Sequence, residues 1–207
     1  MSEGHPIFAV AYGMVGRIGE RAGLAERRRL LLAEVSGSVV EIGAGTGLNF
    51  RHYPSGIEVI ATEPDPHMLR KAQKAARTST ATVQVRQATA ESLPFPDAWV
   101  DAVVSTLVLC SVPDQAATLA EIKRVLRPGG QLLLLEHVRS QDPAVARKQD
   151  RRESLHMRFA GGCHPNRDTL RSVTDAGFDV GDVERTTLLG SGVTRPAIRG
   201  TARKPAS

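Results

Sequence analysis

The stretch Glu41-Ile42-Gly43-Ala44-Gly45-Thr46-Gly47-Leu48-Asn49 decides how this chain is read. It grows out of a short apolar run, Ser38 to Gly43, that has the pattern of a strand, and it sets three glycines at alternate positions. Glycine lets the main chain turn tightly and lets a ligand approach the backbone, because no side chain intervenes. Glu63 stands 20 residues after Gly43, at the tip of a second strand-like run, Ile57 to Thr62. A carboxylate in that place accepts hydrogen bonds from both hydroxyls of a ribose, so turn and acid together imply an adenosine-containing ligand. A dinucleotide turn has the spacing G-x-G-x-x-G, whereas here the sixth position is Leu48 and the spacing is G-x-G-x-G. That difference disfavours an NAD-dependent oxidoreductase.

Working outward, strand-like and helix-like runs alternate. Asp65-Pro66 opens a helix to about Arg77, with Asp65 as its cap and Pro66 at the first helical position, where a missing N–H costs nothing. Val83 to Gln87 and Val100 to Thr106 read as the third and fourth strands. Asp114 to Leu126 carries apolar residues at helical spacing and stops at Arg127-Pro128-Gly129-Gly130, after which Gln131 to His137 is the fifth strand. Ser140 to Cys163 is charged and reads as a helix followed by a loop; Asp168 to Ala176 is a last helix closed by Gly177. Two late strands, Val183 to Leu189 and Ala197 to Ala202, can form a hairpin at the sheet edge. The alternation predicts an α/β fold, a doubly wound seven-stranded sheet, mostly parallel with an antiparallel C-terminal hairpin. Ahead of it, Pro6 to Ala33 has a helical pattern, so residues 1–36 are expected to be an N-terminal helical extension and 37–207 a single globular unit.

The totals agree with one soluble domain. The chain has 207 residues, 41% of them apolar and 24% charged, which suffices for a core and argues against general disorder. No apolar run approaches the length of a membrane span and no export signal is read, so a cytoplasmic setting is expected. The net charge is +5, and aromatic residues are only 4%, without the interleaving with basic residues that a base-stacking platform needs; nucleic acid is disfavoured as a partner. The basic residues Arg147, Lys148, Arg151, Arg152 and Arg158, and later Arg195, Arg199, Arg203 and Lys204, suit an anionic ligand or peripheral contact with an anionic membrane. Cys110 and Cys163 lie 53 positions apart without partners at metal-ligand spacing, so neither a metal site nor a disulfide framework is expected.

The glycine turn resembles the first motif of class I S-adenosylmethionine-dependent methyltransferases. Two further stretches agree. Ala90-Glu91-Ser92-Leu93-Pro94-Phe95, followed by Val100-Asp101-Ala102-Val103-Val104, is similar to a signature of the small-molecule (type 11) branch of that superfamily. Arg124-Val125-Leu126-Arg127-Pro128-Gly129-Gly130 is similar to the family's turn before its fifth strand. The position of the usual acid before Ala90 is held by Thr89. More narrowly, Thr106 to Val112, Glu136-His137-Val138, Gly162-Cys163 and Arg195 to Gly200 resemble alkyl-thiol S-methyltransferases.

The resemblance implies a Rossmann-like fold and S-adenosylmethionine as cofactor. It places Gly43, Ala44, Gly45, Thr46, Gly47 and Asn49 around the methionine moiety, and Glu63, Pro64 and Met68 at the ribose and adenine. It adds Ala90 and Glu91 beside the adenine, and Thr106 and Leu107 at the end of the fourth strand. The acceptor is expected to be a small, partly apolar molecule, first of all a thiol, with phospholipid N-methylation and quinone C-methylation as alternatives and a non-catalytic cofactor-binding protein as a reading of another class. His137, at the carboxyl end of the fifth strand, is the candidate for stabilising a thiolate acceptor. Tyr12, Cys163 and His164 are candidates for the acceptor pocket; Cys110 reads as a buried small hydrophobe and Cys163 as the more accessible thiol. The Asp142 to Arg158 segment is expected to cover the acceptor.

Overall fold

A computed structural model describes residues 23–33, 35–188 and 192–206. Tyr12, most of the N-terminal extension and Leu189 lie outside them. Seven strands form one sheet: β1 (Ser38–Ile42), β2 (Glu58–Thr62), β3 (Thr82–Arg86), β4 (Val100–Thr106), β5 (Leu126–His137), β6 (Asp179–Thr187) and β7 (Pro196–Arg203). Their spatial order is β3-β2-β1-β4-β5-β7-β6, as the doubly wound expectation requires. The pairs among β1 to β5 are parallel, and β7 runs antiparallel to both β5 and β6. The late hairpin is therefore inserted with its second strand inward, against β5.

Both sheet faces are buried, and strand alternation assigns each residue to one of two cores. Val40, Ile42, Val103, Leu132 and Leu134 point to one side; Val39, Ala102, Val104, Leu133 and Leu135 point to the other. This explains why the central strands read as continuous apolar runs, while β3 and β6, at the two edges, alternate with exposed residues. Helices α1 (Ala25–Leu32), α2 (Pro66–Ala76), α3 (Gln115–Val125), α4 (Pro143–Phe159) and α5 (Thr169–Asp175) complete the described fold. Asp65 caps α2 as expected, its Oδ1 accepting from the main-chain N–H groups of His67 and Met68 at 2.7 and 2.9 Å.

Two boundaries differ from the sequence reading. Extended backbone in β5 begins at Leu126, not Gln131, because Leu126 already pairs with Val100; regular pairing then resumes at Ala102 and Gln131, so Arg127 to Gly130 bulge out of the ladder. Gly129 supplies the positive φ of 76° that this bulge needs. The second is β6, which begins at Asp179 and not at Val183. Helix α4 lies within Ser140 to Cys163, as expected, and its 17 residues are docked through a fully buried Gln149. The Gln149 amide donates to the carbonyls of Val138, Pro165 and Val193 and accepts from the Ser140 N–H. A glutamine amid charged residues gives no periodic signal, so the anchor was invisible in the sequence.

Candidate active site

The strand order reverses between β1 and β4: β2 and β3 lie to one side of β1, and β4, β5 and β7 to the other. The crevice beyond the carboxyl ends of these two strands is where an open α/β sheet binds ligands. The glycine turn fills one side of it. Gly43, Gly45 and Gly47 all have positive φ, of 55°, 59° and 79°. A Cβ on Gly43 would stand 2.8 Å from the methyl carbons of Val108, and one on Gly47 would meet the Phe50 ring at 2.7 Å and Ala75 at 2.9 Å. Two of the glycines thus serve close packing of the turn against its neighbours as well as its conformation. Ala44 N–H donates to the Thr62 carbonyl at 2.9 Å and binds the turn to the end of β2.

Glu63 is buried at that strand end. One carboxylate oxygen accepts the Gly45 N–H at 2.7 Å and the other the Asp65 N–H at 2.9 Å, so the acid itself braces the glycine turn. Burial pushes its pKa up, against these two main-chain donors that pull it down. Two carboxylate oxygens have about four lone-pair positions, leaving room for two ribose hydroxyls. Met68 is buried on α2, Pro64 is exposed with its carbonyl accepting from Gln87, and Ala90 packs into the core. Glu91 Oε1 is buried without a hydrogen-bond partner among the described residues. A buried acceptor lacking a donor is costly unless a ligand supplies one, and an adenine amino group would. The site therefore fits an adenosine-containing cofactor, with Glu91 beside the position where Thr89 replaces the usual acid.

Arg124 ties this loop to the following helix. Its guanidinium pairs with Glu121 and Asp97 and donates to the carbonyls of Leu93 and Phe95, while Glu121 accepts the Leu93 N–H. The two separate sequence signatures, Ala90 to Phe95 and Arg124 to Gly130, are thus halves of one hydrogen-bonded unit.

Asn49 and Thr106 belong to a buried network that the sequence did not disclose in full. Asn49 donates to Glu41 Oε1 at 3.1 Å and to Thr106 Oγ1 at 3.0 Å. Arg28, from α1, donates to Asn49 Oδ1 at 2.7 Å and Thr106 Oγ1 at 2.8 Å, and Tyr53 donates to Glu41 Oε2 at 2.7 Å. Burial lifts the Glu41 carboxyl to about 7, against the bonds from Tyr53 and Asn49 and the charge of Arg28. In the sequence Arg28 is the middle member of a basic run, Arg27-Arg28-Arg29. The available signal was its place between Leu24 and Leu31, four and three residues away, on the buried face of the helix.

The region around His137 is assembled from three segments. After β4 the chain turns through Leu107, which has a φ of 60° that a branched side chain rarely adopts, and reaches Cys110. Glu136, fully buried on β5, holds this turn: Oε1 accepts from Ser105 Oγ at 2.7 Å and Val108 N–H at 2.9 Å, and Oε2 from Cys110 N–H at 3.3 Å. The loop after α4 docks on the same turn, with His164 N–H donating to the Cys110 carbonyl and Arg167 to the carbonyls of Leu109 and Val112. His137 closes the group from the end of β5.

The two cysteines, distant in sequence, consequently meet. Their sulfurs are 3.8 Å apart, and His137 Nδ1 lies 3.8 Å from Cys110 Sγ and 3.5 Å from Cys163 Sγ. Cys163 is buried, not accessible, because its loop is pressed onto the β4 turn. The contact between the sulfurs splits their acidities. It draws Cys163 below the ordinary thiol value and, together with burial and the Glu136 charge, pushes Cys110 well up. Desolvation opposes a charge on His137, but Cys110 and Glu136 outweigh it and hold the imidazole above its ordinary value. His164 turns away from this group, its Nδ1 2.8 Å from Glu153 Oε1 on α4. The α4 segment also borders a separate cleft of 410 Å³ between Val138–Asp142 and the β6–β7 hairpin, lined by Arg139, Arg185 and Arg195; none of the expected site residues lines it. No described helix is long and apolar enough to cross a membrane.

Comparison with known proteins places this architecture. Residues 40–134 match the family model described as a methyltransferase domain. Human thiol S-methyltransferase TMT1B is 32% identical over 174 residues, covering 78% of this chain and 71% of that protein. Three further thiol S-methyltransferases among the relatives are spanned over 59–63% of their length. The ubiquinone/menaquinone biosynthesis C-methyltransferase UbiE of Ectopseudomonas mendocina is 31% identical over 165 residues, covering 68% of this chain and 64% of that one. In fold, the SAM-dependent methyltransferase of Thermotoga maritima superposes with a TM-score of 0.71 at 22% identity, over 96% of this chain and 97% of its own. The turn that the three glycines build, the acid that braces it and these relatives converge: the chain belongs to the class I S-adenosylmethionine-dependent methyltransferases and is an enzyme of that class.

Proposed function

We propose that the enzyme transfers a methyl group to the sulfur of a small, partly apolar thiol. The observation that carries this reading is the group of soft donors at the carboxyl end of β4 and β5, where His137 stands 3.5 and 3.8 Å from two thiols. When bound, S-adenosylmethionine supplies a methyl on a sulfonium, a leaving group that departs neutral. Positioning then supplies much of the rate enhancement, and the side chains have few proton transfers to perform. The glycine turn holds the amino-acid end, with the buried Asn49 fixed behind it by Glu41, Thr106 and Arg28; Glu63 accepts from the ribose, and Glu91 and Met68 flank the adenine. Thr106 and Leu107, at the junction of the two halves, border the methyl.

Even a thiol as acidic as free cysteine, with a pKa of about 8.5, is mostly protonated at neutral pH, so the reactive thiolate is a minority species unless the site stabilises it. His137 is the group placed to do so. The name and the 32% identity of human TMT1B support this acceptor class. The similarity to UbiE supports a second reading, C-methylation of a quinol. The purified protein, incubated with S-adenosylmethionine and matched alkyl thiols, quinols and phospholipid amines, should release S-adenosylhomocysteine fastest with an alkyl thiol. Turnover confined to a quinol or an amine would replace the thiol reading, and cofactor binding without turnover on any acceptor would make the protein a binder.

A further inference from the structure

We propose that Cys110, His137 and Cys163 are the three protein ligands of a thiophilic divalent metal ion, zinc above all, whose fourth position takes the acceptor thiol as a thiolate. Their donor atoms, two sulfurs and one ring nitrogen, all lie within 4.8 Å of one another. The separations are those of a tetrahedral face. With Zn–S near 2.3 Å and Zn–N near 2.0–2.1 Å, tetrahedral angles put two sulfurs about 3.8 Å apart and a sulfur and a nitrogen about 3.6 Å apart. The observed values are 3.8 Å between the sulfurs and 3.8 and 3.5 Å to Nδ1.

The chemistry of the set agrees with its geometry. Two thiolates and one imidazole suit zinc, and three protein ligands with an open position are the arrangement of a catalytic zinc rather than a structural one. Both cysteines are buried, whereas His137, at the carboxyl end of β5, keeps partial exposure. Both cysteines are also fixed from behind. Cys110 is held through its N–H to Glu136 and its carbonyl to the His164 N–H, and Cys163 through its N–H to the Ala160 carbonyl. Ser111 Oγ lies 3.6 Å from Cys110 Sγ as an outer partner. Such outer contacts orient metal ligands and tune their affinity.

The role rests on the thiol reading above. An incoming thiol R–SH gives its proton to water and coordinates as R–S⁻. Its sulfur lone pair forms the new S–CH₃ bond while the bond from methyl to the sulfonium sulfur breaks. The bonding pair stays on that sulfur, giving neutral S-adenosylhomocysteine, and the thioether product, a weaker ligand than the thiolate, leaves. No oxidant or reductant is consumed.

Cobalt(II) is a spectroscopic probe for such a site. Full-length protein, reduced and stripped with a chelator, is expected to bind one equivalent of cobalt with the visible bands of tetrahedral coordination and a thiolate-to-cobalt charge-transfer band, both abolished by zinc. Cys110→Ser and Cys163→Ser should each remove about half of the charge-transfer intensity, and His137→Ala should weaken binding by more than the roughly 10–100-fold that loss of an outer contact costs. Circular dichroism and S-adenosylmethionine affinity identify variants that remain folded, and conservative Cys→Ala replacements substitute for any that do not. Reduced wild-type protein that gives no charge-transfer band, or a band that survives in the double cysteine variant, overturns the site. Adding an alkyl thiol should shift the visible bands and raise the charge-transfer intensity, whereas an alcohol of equal length should not; a spectrum indifferent to the thiol overturns the open position. Because the spectrum needs no turnover, failure of the acceptor assay leaves this result separately readable.

Discussion

The two halves of the crevice are built by opposite means. The cofactor half is almost continuous in sequence: Glu41 to Asn49 and Glu63 form it, and Gly45 and Glu63 are joined by a direct hydrogen bond of 2.7 Å. The half proposed for the acceptor gathers Cys110, His137 and Cys163 from three segments, with Glu136 and the 160–167 loop holding them together. A turn whose glycines are required by backbone geometry has little freedom to vary, whereas a pocket made from a loop and a helix that meet at one place can be rebuilt without disturbing the cofactor. The contrast yields graded expectations for how far damage in one half reaches the other.

The largest effect is expected at Gly43. Gly43→Val puts a branched side chain at a φ of 55° and a Cβ 2.8 Å from Val108, which is itself in the acceptor-side turn. Strain in the left-handed region and overpacking each cost about 1–3 kcal/mol, so a total of about 2–6 kcal/mol is expected. Denaturant unfolding measures it directly. A loss below about 1 kcal/mol would mean that the turn can shift away from Val108, and that the halves are less tightly joined than the packing implies.

Next comes a pH effect at Glu41. Its carboxyl is raised from 4.5 to about 7, chiefly by burial. Between those values the folded chain holds a proton that the unfolded chain has released, so the free energy of unfolding should fall as pH rises through this window. The contribution is fully present below pH 4.5 and is gone above 7, and amounts to up to about 3 kcal/mol. Glu41→Gln should flatten that slope while keeping an acceptor for Asn49 or Tyr53. A slope identical in wild type and variant would place the titration elsewhere.

Glu63→Ala should weaken S-adenosylmethionine binding by about 1.5–3 kcal/mol, the range for hydrogen bonds to a charged group, when followed by calorimetry. Because Glu63 also braces Gly45, the variant should lose some stability too. Glu63→Gln separates the parts: it keeps an acceptor for Gly45 but offers the ribose only one oxygen. Unchanged affinity in both would move the ribose away from β2.

Legibility followed the same division. The alternation of strands and helices, the capped start of α2 at Asp65 and the glycine turn were all written locally, in spacing and in residue type, and the sheet order agrees with them. Arg28 escaped because a charged residue on an apolar helix face looks like one more member of a basic run until its partners Asn49 and Thr106 are brought to it. Cys110 and Cys163 escaped for a different reason: their 3.8 Å approach depends on the loop after α4 docking on the turn after β4, and no local pattern encodes that docking. Gln149, which fixes α4, has three main-chain carbonyls as partners, and main-chain partners leave no trace in residue identity.

The smallest expected effect tests whether the acceptor half can be loosened alone. Glu153 on α4 accepts from or pairs with His164 at 2.8 Å, and the contact is partly exposed, so its loss should cost less than about 1 kcal/mol of stability. The carboxyl of Glu153 is held low first by His164 and then by Asn166. His164 adjoins Cys163 and donates its main-chain N–H to Cys110, and Glu153→Ala therefore frees the side chain of a residue whose backbone still spans the two cysteines. The outcome expected is a severalfold rise in KM for the acceptor with an unaltered Kd for S-adenosylmethionine. A matching loss of cofactor affinity would show instead that the loop reaches the glycine turn through Val108, whose side chain lies against Gly43, and that the crevice responds as a single piece.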